Sequence, residues 1–94
     1  MATIGVLTLE LHIDHSHSLK DKRQVVRGLK DRLRSKFNVA AAEIGRQDSW
    51  QRAAVGVVTL AADRSRVEEV LQLVEKEASN LLGAMLVETD IEYL

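Results

Sequence analysis

The basic stretch Ser18-Leu19-Lys20-Asp21-Lys22-Arg23, which runs on to Phe37, predicts the first helix, and the other elements of the fold are placed relative to it. Ser18 is a favourable N-cap, and Asp21 places an acid in the first turn, near the positive end of the helix dipole. Apolar residues then recur at helical spacing, at Leu19, Val26, Leu29, Leu33 and Phe37. The stretch therefore predicts the first helix, which we expect to end near Asn38.

The segments on either side predict four strands and a second helix. Residues 3–13 alternate apolar and polar side chains, as a half-buried strand does. Further strand patterns follow at residues 39–44, 52–62 and 85–94. Asp63 precedes a second stripe of apolar residues at helical spacing, and Gly83 is expected to end that helix.

The order β-α-β-β-α-β predicts an α+β fold, the ferredoxin-like sandwich, in a single domain that spans residues 1–94. In this fold four antiparallel strands form one sheet, and two helices cover one of its faces. We expect the first and third strands at the centre, parallel to each other, and the helices side by side in the same direction. We expect the inward register to be Leu7, Leu9, Val58 and Leu60.

The composition fits one small domain with an aliphatic core. Of the 94 residues, 46% are hydrophobic, but only Phe37, Trp50 and Tyr93 are aromatic. The absence of cysteine excludes disulfides, thiolate metal sites and a cysteine nucleophile. No apolar run approaches the ~20 residues of a membrane span, and no signal-peptide pattern precedes the first strand. We therefore expect a cytoplasmic protein with no membrane partner.

Charge is unevenly distributed along the chain, although the net charge is only −1. Residues 18–37 hold eight of the thirteen basic residues and two acids, a net charge of +6. Residues 63–94 hold eight acids and three bases, a net charge of −5. Such an asymmetry indicates an interaction surface, or two elements that attract each other.

A second motif, Gln47-Asp48-Ser49-Trp50-Gln51-Arg52, lies between the second and third predicted strands. Together with Ser18–Arg23 and the element order, it resembles the YlxP-like family of small bacterial proteins, a domain of unknown function. The resemblance covers essentially the whole chain. It implies a ferredoxin-like fold and a genomic setting among translation genes, near a translation initiation factor and a ribosome-binding factor. It supplies no activity, substrate or catalytic residue.

Five cations of the first helix fall within roughly 80° of one another on a helical wheel. We call them the basic ridge: Lys20, Arg23, Arg27, Lys30 and Arg34. Aligned cations suit the phosphates of a nucleic acid, so one hypothesis is that the ridge binds RNA through charge and shape. The alternative is a solvated face, or ion pairs with the second helix. Among such pairs the ridge could meet Glu77, but it should not meet Glu68 or Glu75.

The open face of the sheet is a second candidate surface. In the expected register it carries aliphatic residues of the first three strands, including Val55 and Val57, and such residues indicate a homodimer or a protein partner. Trp50 is either a hot spot for a partner or a residue that closes one end of the core, and we favour the core reading. Gly28 either admits the backbone of a partner or has no role.

No pattern in the sequence indicates an enzyme. His12, His15 and His17 are weak metal candidates, because their spacing matches no known motif. No phosphate-binding glycine loop or hydrolase motif occurs. We therefore expect a non-enzymatic protein without a cofactor. The leading hypothesis is a translation- or ribosome-associated RNA-binding protein, and the alternative is a homodimeric or protein-interaction module.

Overall fold

The chain forms four strands and two long helices in the predicted order. The computed structural model describes all 94 residues. The elements are β1 (Thr3–His12), α1 (Leu19–Lys36), β2 (Ala40–Gly45), β3 (Arg52–Ala61), α2 (Arg64–Leu82), a 3-10 turn (Gly83–Met85) and β4 (Leu86–Tyr93). Neither helix is long and apolar enough to cross a membrane.

The strands form one antiparallel sheet in the order β2-β3-β1-β4. This arrangement, with both helices packed on one face, confirms the ferredoxin-like fold and the central position of β1 and β3. The expectation that β1 and β3 are parallel is wrong. β3 pairs antiparallel with both β2 and β1, so β1 and β2 share a direction that β3 reverses.

The two helices also run in opposite directions, which corrects the expectation that they run the same way. α1 returns from the end of β1 to the start of β2, and α2 returns from the end of β3 to the start of β4. Each helix therefore opposes the strand that precedes it. Because β1 and β3 are antiparallel, α1 and α2 are antiparallel as well.

The start of α1 is fixed by side chains that cap its first turn. The Ser18 hydroxyl accepts a hydrogen bond from the backbone N–H of Asp21 at 3.0 Å. The Asp21 carboxylate in turn accepts one from the backbone N–H of His17 at 2.9 Å. This reciprocal capping satisfies amide groups that the helix itself leaves without partners. The predicted cap at Ser18 is confirmed.

The core is aliphatic, as the composition predicts, but the inward register predicted for β3 is wrong. Val55 and Val57 are fully buried against the helices, whereas Leu60 is exposed on the open face. The pairing explains this, since Leu7 lies opposite Val57 and Leu9 opposite Val55. Directly opposed residues share one face of an antiparallel sheet. Val55 and Val57 are therefore core residues and do not belong to the open surface where the sequence had placed them.

Gly5 allows α2 to approach β1 closely. A Cβ atom at this position would lie 2.5 Å from Cγ1 of Val67 and 2.8 Å from Cδ1 of Leu71. Both side chains are fully buried, so neither has free space to move into. The packing distance between sheet and helix therefore depends on the absence of a side chain at Gly5.

Candidate nucleic-acid interface

The basic ridge lies at the surface, and all of its members are exposed except Lys30, which is half-buried. Four of the eight basic residues between positions 18 and 37 have an acid within ion-pair distance. They are Lys22 with Glu43, Arg34 with Asp31, and Arg32 and Lys36 with Glu77. The other four form no ion pair within the chain, and all are ridge residues: Lys20, Arg23, Arg27 and Lys30.

The ridge lies on the side of α1 that faces away from α2. Val25, Gly28 and Arg32 mark the opposite side, because they line a groove together with Leu82 of α2. Arg27 and Lys30 lie roughly 150° around the helix from Arg32, at about 100° per residue. Since α1 packs over β2 and β3, the ridge borders the β2 edge of the molecule.

The acids of α2 leave the ridge unneutralised. Glu68 pairs with Arg64 in its own helix, and Glu75 accepts a hydrogen bond from Thr89 of β4. The prediction that neither meets the ridge is confirmed. It assumed helices that run in the same direction, whereas in these antiparallel helices the ridge and the side of α2 that carries Glu68 and Glu75 point away from each other. Glu77 does not meet the ridge either.

Glu77 instead joins the two helices through cations that lie outside the ridge. Its carboxylate accepts a hydrogen bond from Lys36 at 2.9 Å and lies 3.5 Å from Nε of Arg32. The Lys36 hydrogen bond lowers the pKa of Glu77, desolvation opposes this, and the charges of Lys36 and Arg32 lower it further. Lys36 and Arg32 thus favour the charged form of the Glu77 carboxylate.

Lys22 joins the two sequence motifs through its buried ammonium group. Its side chain is only 1% exposed, and Nζ donates to the backbone carbonyls of Arg46 at 2.9 Å, Gln47 at 3.3 Å and Arg52 at 3.3 Å. Three acceptors match the three N–H groups of an ammonium. Nζ also lies 3.0 Å from Oε2 of Glu43. That oxygen accepts no hydrogen bond, so the contact is an electrostatic attraction between the two charges. The β2–β3 loop is therefore fastened to the start of α1.

The position of Lys22 in the sequence carries a signal for this role. Lys22 precedes Val26 by four residues and Leu29 by seven, so it falls on the buried stripe of α1. A lysine on a buried stripe requires a buried set of acceptors. Sequence reasoning counted Lys22 only as part of the positive charge of the helix and missed this requirement.

Further hydrogen bonds order the loop between β2 and β3. The Ser49 hydroxyl accepts from the backbone N–H of Arg52 at 2.9 Å and of Gln51 at 3.3 Å. The Gln51 side chain donates to the backbone carbonyls of Asp14 at 3.1 Å and Ser16 at 3.3 Å, in the β1–α1 loop. The second motif thus forms a loop that is hydrogen-bonded both to α1, through Lys22, and to the β1–α1 loop, through Gln51.

Trp50 is exposed at the tip of this ordered loop. Its relative exposure is 58%, so it does not close the core, and that favoured reading is wrong. The cations nearest to it in the chain are Arg46, which pairs with Glu10 at 3.2 Å, and Arg52, which is exposed and forms no ion pair. The partner-contact reading of Trp50 therefore remains.

The histidines do not form a metal-binding cluster. His12 lies at the end of β1, and His15 and His17 are exposed in the following loop. No three His, Asp or Glu side chains lie close enough together to hold a metal ion. Only Asp14 pairs with one of them, His15, at 3.8 Å.

The open face of the sheet is divided into two halves of different chemistry. The apolar half lies on β2, β3 and β1, and it consists of Val6, Ala42, Ile44, Val58 and Leu60. The acidic half lies on β1 and β4, and it consists of Glu10, Glu88, Asp90 and Glu92. Ile44 is 56% exposed and Leu60 63%, so the apolar half presents large aliphatic side chains to solvent.

These features define a small ferredoxin-like protein whose two sequence motifs are joined at Lys22. The chain belongs to the family described as "Protein of unknown function (DUF503)", which matches residues 4–91. It is also similar to the protein of Bacillus subtilis (strain 168) described as "Uncharacterized protein YlxP". The two are 41% identical over 71 residues, which cover 76% of this chain and 77% of the relative. The family resemblance inferred from the two motifs is confirmed.

Solved structures share the fold at low sequence identity. The de novo designed protein Foldit4 matches with a TM-score of 0.62 and 12% identity, over 100% of this chain and 97% of its own. A dimeric ferredoxin-like protein of unknown function from Thermobifida fusca matches with a TM-score of 0.58 and 13% identity. That match covers 99% of this chain and 90% of the Thermobifida protein. At these identities the likeness establishes the fold alone.

Proposed function

We propose that this protein is a non-enzymatic RNA-binding protein of the cytoplasm, associated with translation or the ribosome, whose basic ridge contacts RNA phosphates. The observation that carries the proposal is the distribution of ion pairs along α1. The cations outside the ridge are neutralised by Glu43 or Glu77, whereas four of the five ridge cations have no acidic partner. Unpaired cations aligned on one side of a helix can each release a counterion from a phosphate backbone.

The geometry favours a contact with the backbone of RNA over the reading of bases on the sheet. RNA-recognition sheets of this fold class stack bases on aromatic residues of their central strands. The central strands β1 and β3 carry no aromatic residue here, and their open face holds Glu10 beside an apolar surface. The ridge borders the β2 edge, away from the acidic half of the sheet, so an RNA on the ridge avoids that negative charge.

The association with translation rests on the family resemblance, which implies a genomic setting among translation genes. A ribosomal particle exposes long stretches of RNA backbone, and such a surface suits a protein that binds by charge. The ridge is therefore proposed to dock on structured RNA and not to search for a sequence. Its affinity should fall steeply with salt, by a log–log slope of about 0.7 to 0.9 for each phosphate contacted.

A double substitution tests the ridge with a matched control. Arg23→Glu together with Arg27→Glu should abolish binding to ribosomal RNA, measured by filter binding at low salt, because both cations are exposed and unpaired. The control is Arg66→Glu with Lys76→Glu, which makes the same change in net charge on the exposed side of α2. Equal loss in both variants, or no loss in the ridge variant, would reject the ridge as the site.

A second candidate function, self-association, is favoured by the apolar half of the open face. Ile44 and Leu60 expose large aliphatic side chains on the same face of adjacent strands. Exposed aliphatic patches of this kind mark contacts between proteins. The Thermobifida fusca protein that shares the fold is described as dimeric, so the fold is compatible with a dimer. In such a dimer the acidic halves would have to be offset, because stacking them directly would place like charges together.

A further inference from the structure

We propose that Trp50 is a stacking platform for an unpaired base, so that the RNA bound by this protein carries a single-stranded nucleotide beside the segment held by the ridge. This inference rests on the proposed RNA contact and adds to it the kind of RNA that is recognised. The indole side chain would hold the face of the base, and neighbouring cations would hold its phosphates.

The exposure of Trp50 has no structural explanation within the chain. Tryptophan is highly buried on average in folded proteins, because its large apolar surface is costly to hydrate. Here 58% of it is exposed, and it belongs neither to the buried core cluster nor to the partly buried side chains packed against that cluster. An exposed indole that the core does not use is free to contact a ligand.

The backbone that carries Trp50 is ordered from both of its ends. Lys22 donates hydrogen bonds to the carbonyls of Arg46 and Gln47, which precede Trp50, and of Arg52, which follows it. The Ser49 hydroxyl accepts hydrogen bonds from the backbone N–H groups of Gln51 and Arg52. The side chain is therefore presented on a preformed loop. A preformed loop loses little conformational entropy on binding, which favours a ligand as small as one base.

The same hydrogen bonds place the loop beside the first turns of α1. Lys22 lies between Lys20 and Arg23, the first two ridge residues, and its ammonium reaches three carbonyls of the loop. Arg52 follows Trp50 by two residues in the chain, is exposed and forms no ion pair. An exposed aromatic residue together with unpaired cations on adjoining elements is the combination that binds single-stranded nucleic acid.

The chemistry of the loop favours RNA over a protein partner. Arg46 pairs with Glu10, so the unpaired cations at this end of the molecule are Arg52 and the first ridge residues, Lys20 and Arg23. The apolar half of the open face lies on the sheet and does not include Trp50. A protein contact centred on aliphatic packing would therefore use that surface instead.

Two fluorescein-labelled probes test the proposal, a short single-stranded oligouridine and a blunt-ended RNA duplex of the same length. Trp50→Ala should weaken binding to the single strand about ten-fold, the loss expected for one stacked base, and leave the duplex affinity unchanged. Trp50→Phe should keep most of the affinity, because a phenyl ring also stacks. Leu73→Ala, which truncates an exposed apolar residue of α2, is the matched control and should change neither affinity.

Trp50 is the only tryptophan of the chain, so its emission reports on its own surroundings. We expect the single strand to quench this emission and the duplex to leave it unchanged. Equal losses on both probes in Trp50→Ala, or no loss on either, would overturn the stacking role. A change of emission with protein concentration, in the absence of RNA, would assign Trp50 to a contact between copies and also overturn it.

The outcomes separate this inference from the proposed function. If Arg23→Glu with Arg27→Glu weakens both probes while Trp50→Ala weakens neither, the ridge remains an RNA site and the stacking role is excluded. If the wild-type protein binds neither probe nor ribosomal RNA, both proposals fail together. Thermal unfolding of Trp50→Ala should match the wild type, since the side chain lies outside the core.

Discussion

The ammonium nitrogen of Lys22 lies 3.0 Å from the carboxylate of Glu43, and this contact joins the first motif to the second strand beneath the Trp50 loop. Lys22 is 1% exposed and the Glu43 side chain 17%, so the pair is largely shielded from water. Charge in such a place is costly unless it is compensated. Here the three loop carbonyls and the carboxylate together provide the compensation.

Replacement of Lys22 by methionine should destabilise the protein strongly. Lys22→Met keeps the length of the side chain but leaves the Glu43 carboxylate and three carbonyls without their cation. Removal of one partner from a buried ion pair costs about 3 kcal/mol or more of the free energy of unfolding. Urea denaturation followed by circular dichroism measures this change. A combined Lys22→Met and Glu43→Leu variant should recover part of the loss, and equal stability of Lys22→Met and wild type would contradict the interpretation.

An added methyl group at Gly5 should also destabilise the fold. The Cβ of Gly5→Ala would lie 2.5 Å from Cγ1 of Val67 and 2.8 Å from Cδ1 of Leu71, so these side chains or the helix that carries them must shift. Overpacking of this kind costs about 1–3 kcal/mol, which urea denaturation can resolve. If Gly5→Ala unfolded at the same urea concentration as the wild type, the close approach of α2 to β1 would be disproved.

Gly28→Ala provides the matched control for the Gly5 substitution. A Cβ at Gly28 would meet no atom within 4 Å, so the substitution should stabilise α1 by about 1 kcal/mol through helix propensity. The same variant tests the two readings of Gly28. Unchanged RNA affinity would indicate that the glycine has no binding role, and a loss of affinity would indicate close approach of a partner.

The Glu77 pair should give the stability a defined dependence on pH. Its pKa is lowered in the folded protein from an ordinary value of 4.5, chiefly by the Lys36 hydrogen bond. The resulting stabilisation is fully present above that ordinary value and is lost as the pH falls through the lower pKa of the folded state. Glu77→Gln should therefore be less stable than wild type at neutral pH, and the difference should shrink in acid. Urea midpoints measured from neutral pH to pH 3 test this, and a difference that stays constant would contradict it.

Self-association through the apolar half should be sensitive to charge at Leu60. Leu60→Lys places an ammonium on a residue that is 63% exposed, so it should lower the solution mass to that of a monomer without unfolding the domain. Light scattering after size exclusion measures the mass, with Leu73→Lys on α2 as the control. A wild-type protein that is monomeric at every concentration would exclude this function. By contrast, Val55→Lys should unfold the domain, because Val55 lies in the core.

The sequence predicted the fold because each element carries a strong local signal. The Ser18 cap, the helical stripe through Val26 and Leu33 and the alternation in β1 each indicate one type of element, and the rules of chain connection leave few arrangements for their order. The face of β3 could not be predicted in the same way. Val55, Val57 and Val58 form a nearly continuous apolar run, so alternation did not distinguish the buried side, which pairing with β1 decides.

The candidate site was predictable where it depends on one helix and not where it depends on contacts between distant segments. The five ridge cations follow from helical geometry alone. The loop acceptors of Lys22 lie 24 to 30 residues further along the chain, so no local pattern reveals them. The exposure of Trp50 was missed for the same reason, because it depends on the loop that Lys22 holds.

The burial of Lys22 makes it a chemical reporter of the intact protein. Amine-reactive reagents modify lysines that water can reach, and the other lysines of the chain are exposed or half-buried. Lys22, at 1% exposure and with its three N–H groups engaged, should resist acylation until the loop separates from α1. Its labelling rate therefore measures the opening of the junction that connects the two motifs, even under conditions in which the sheet and helices stay folded.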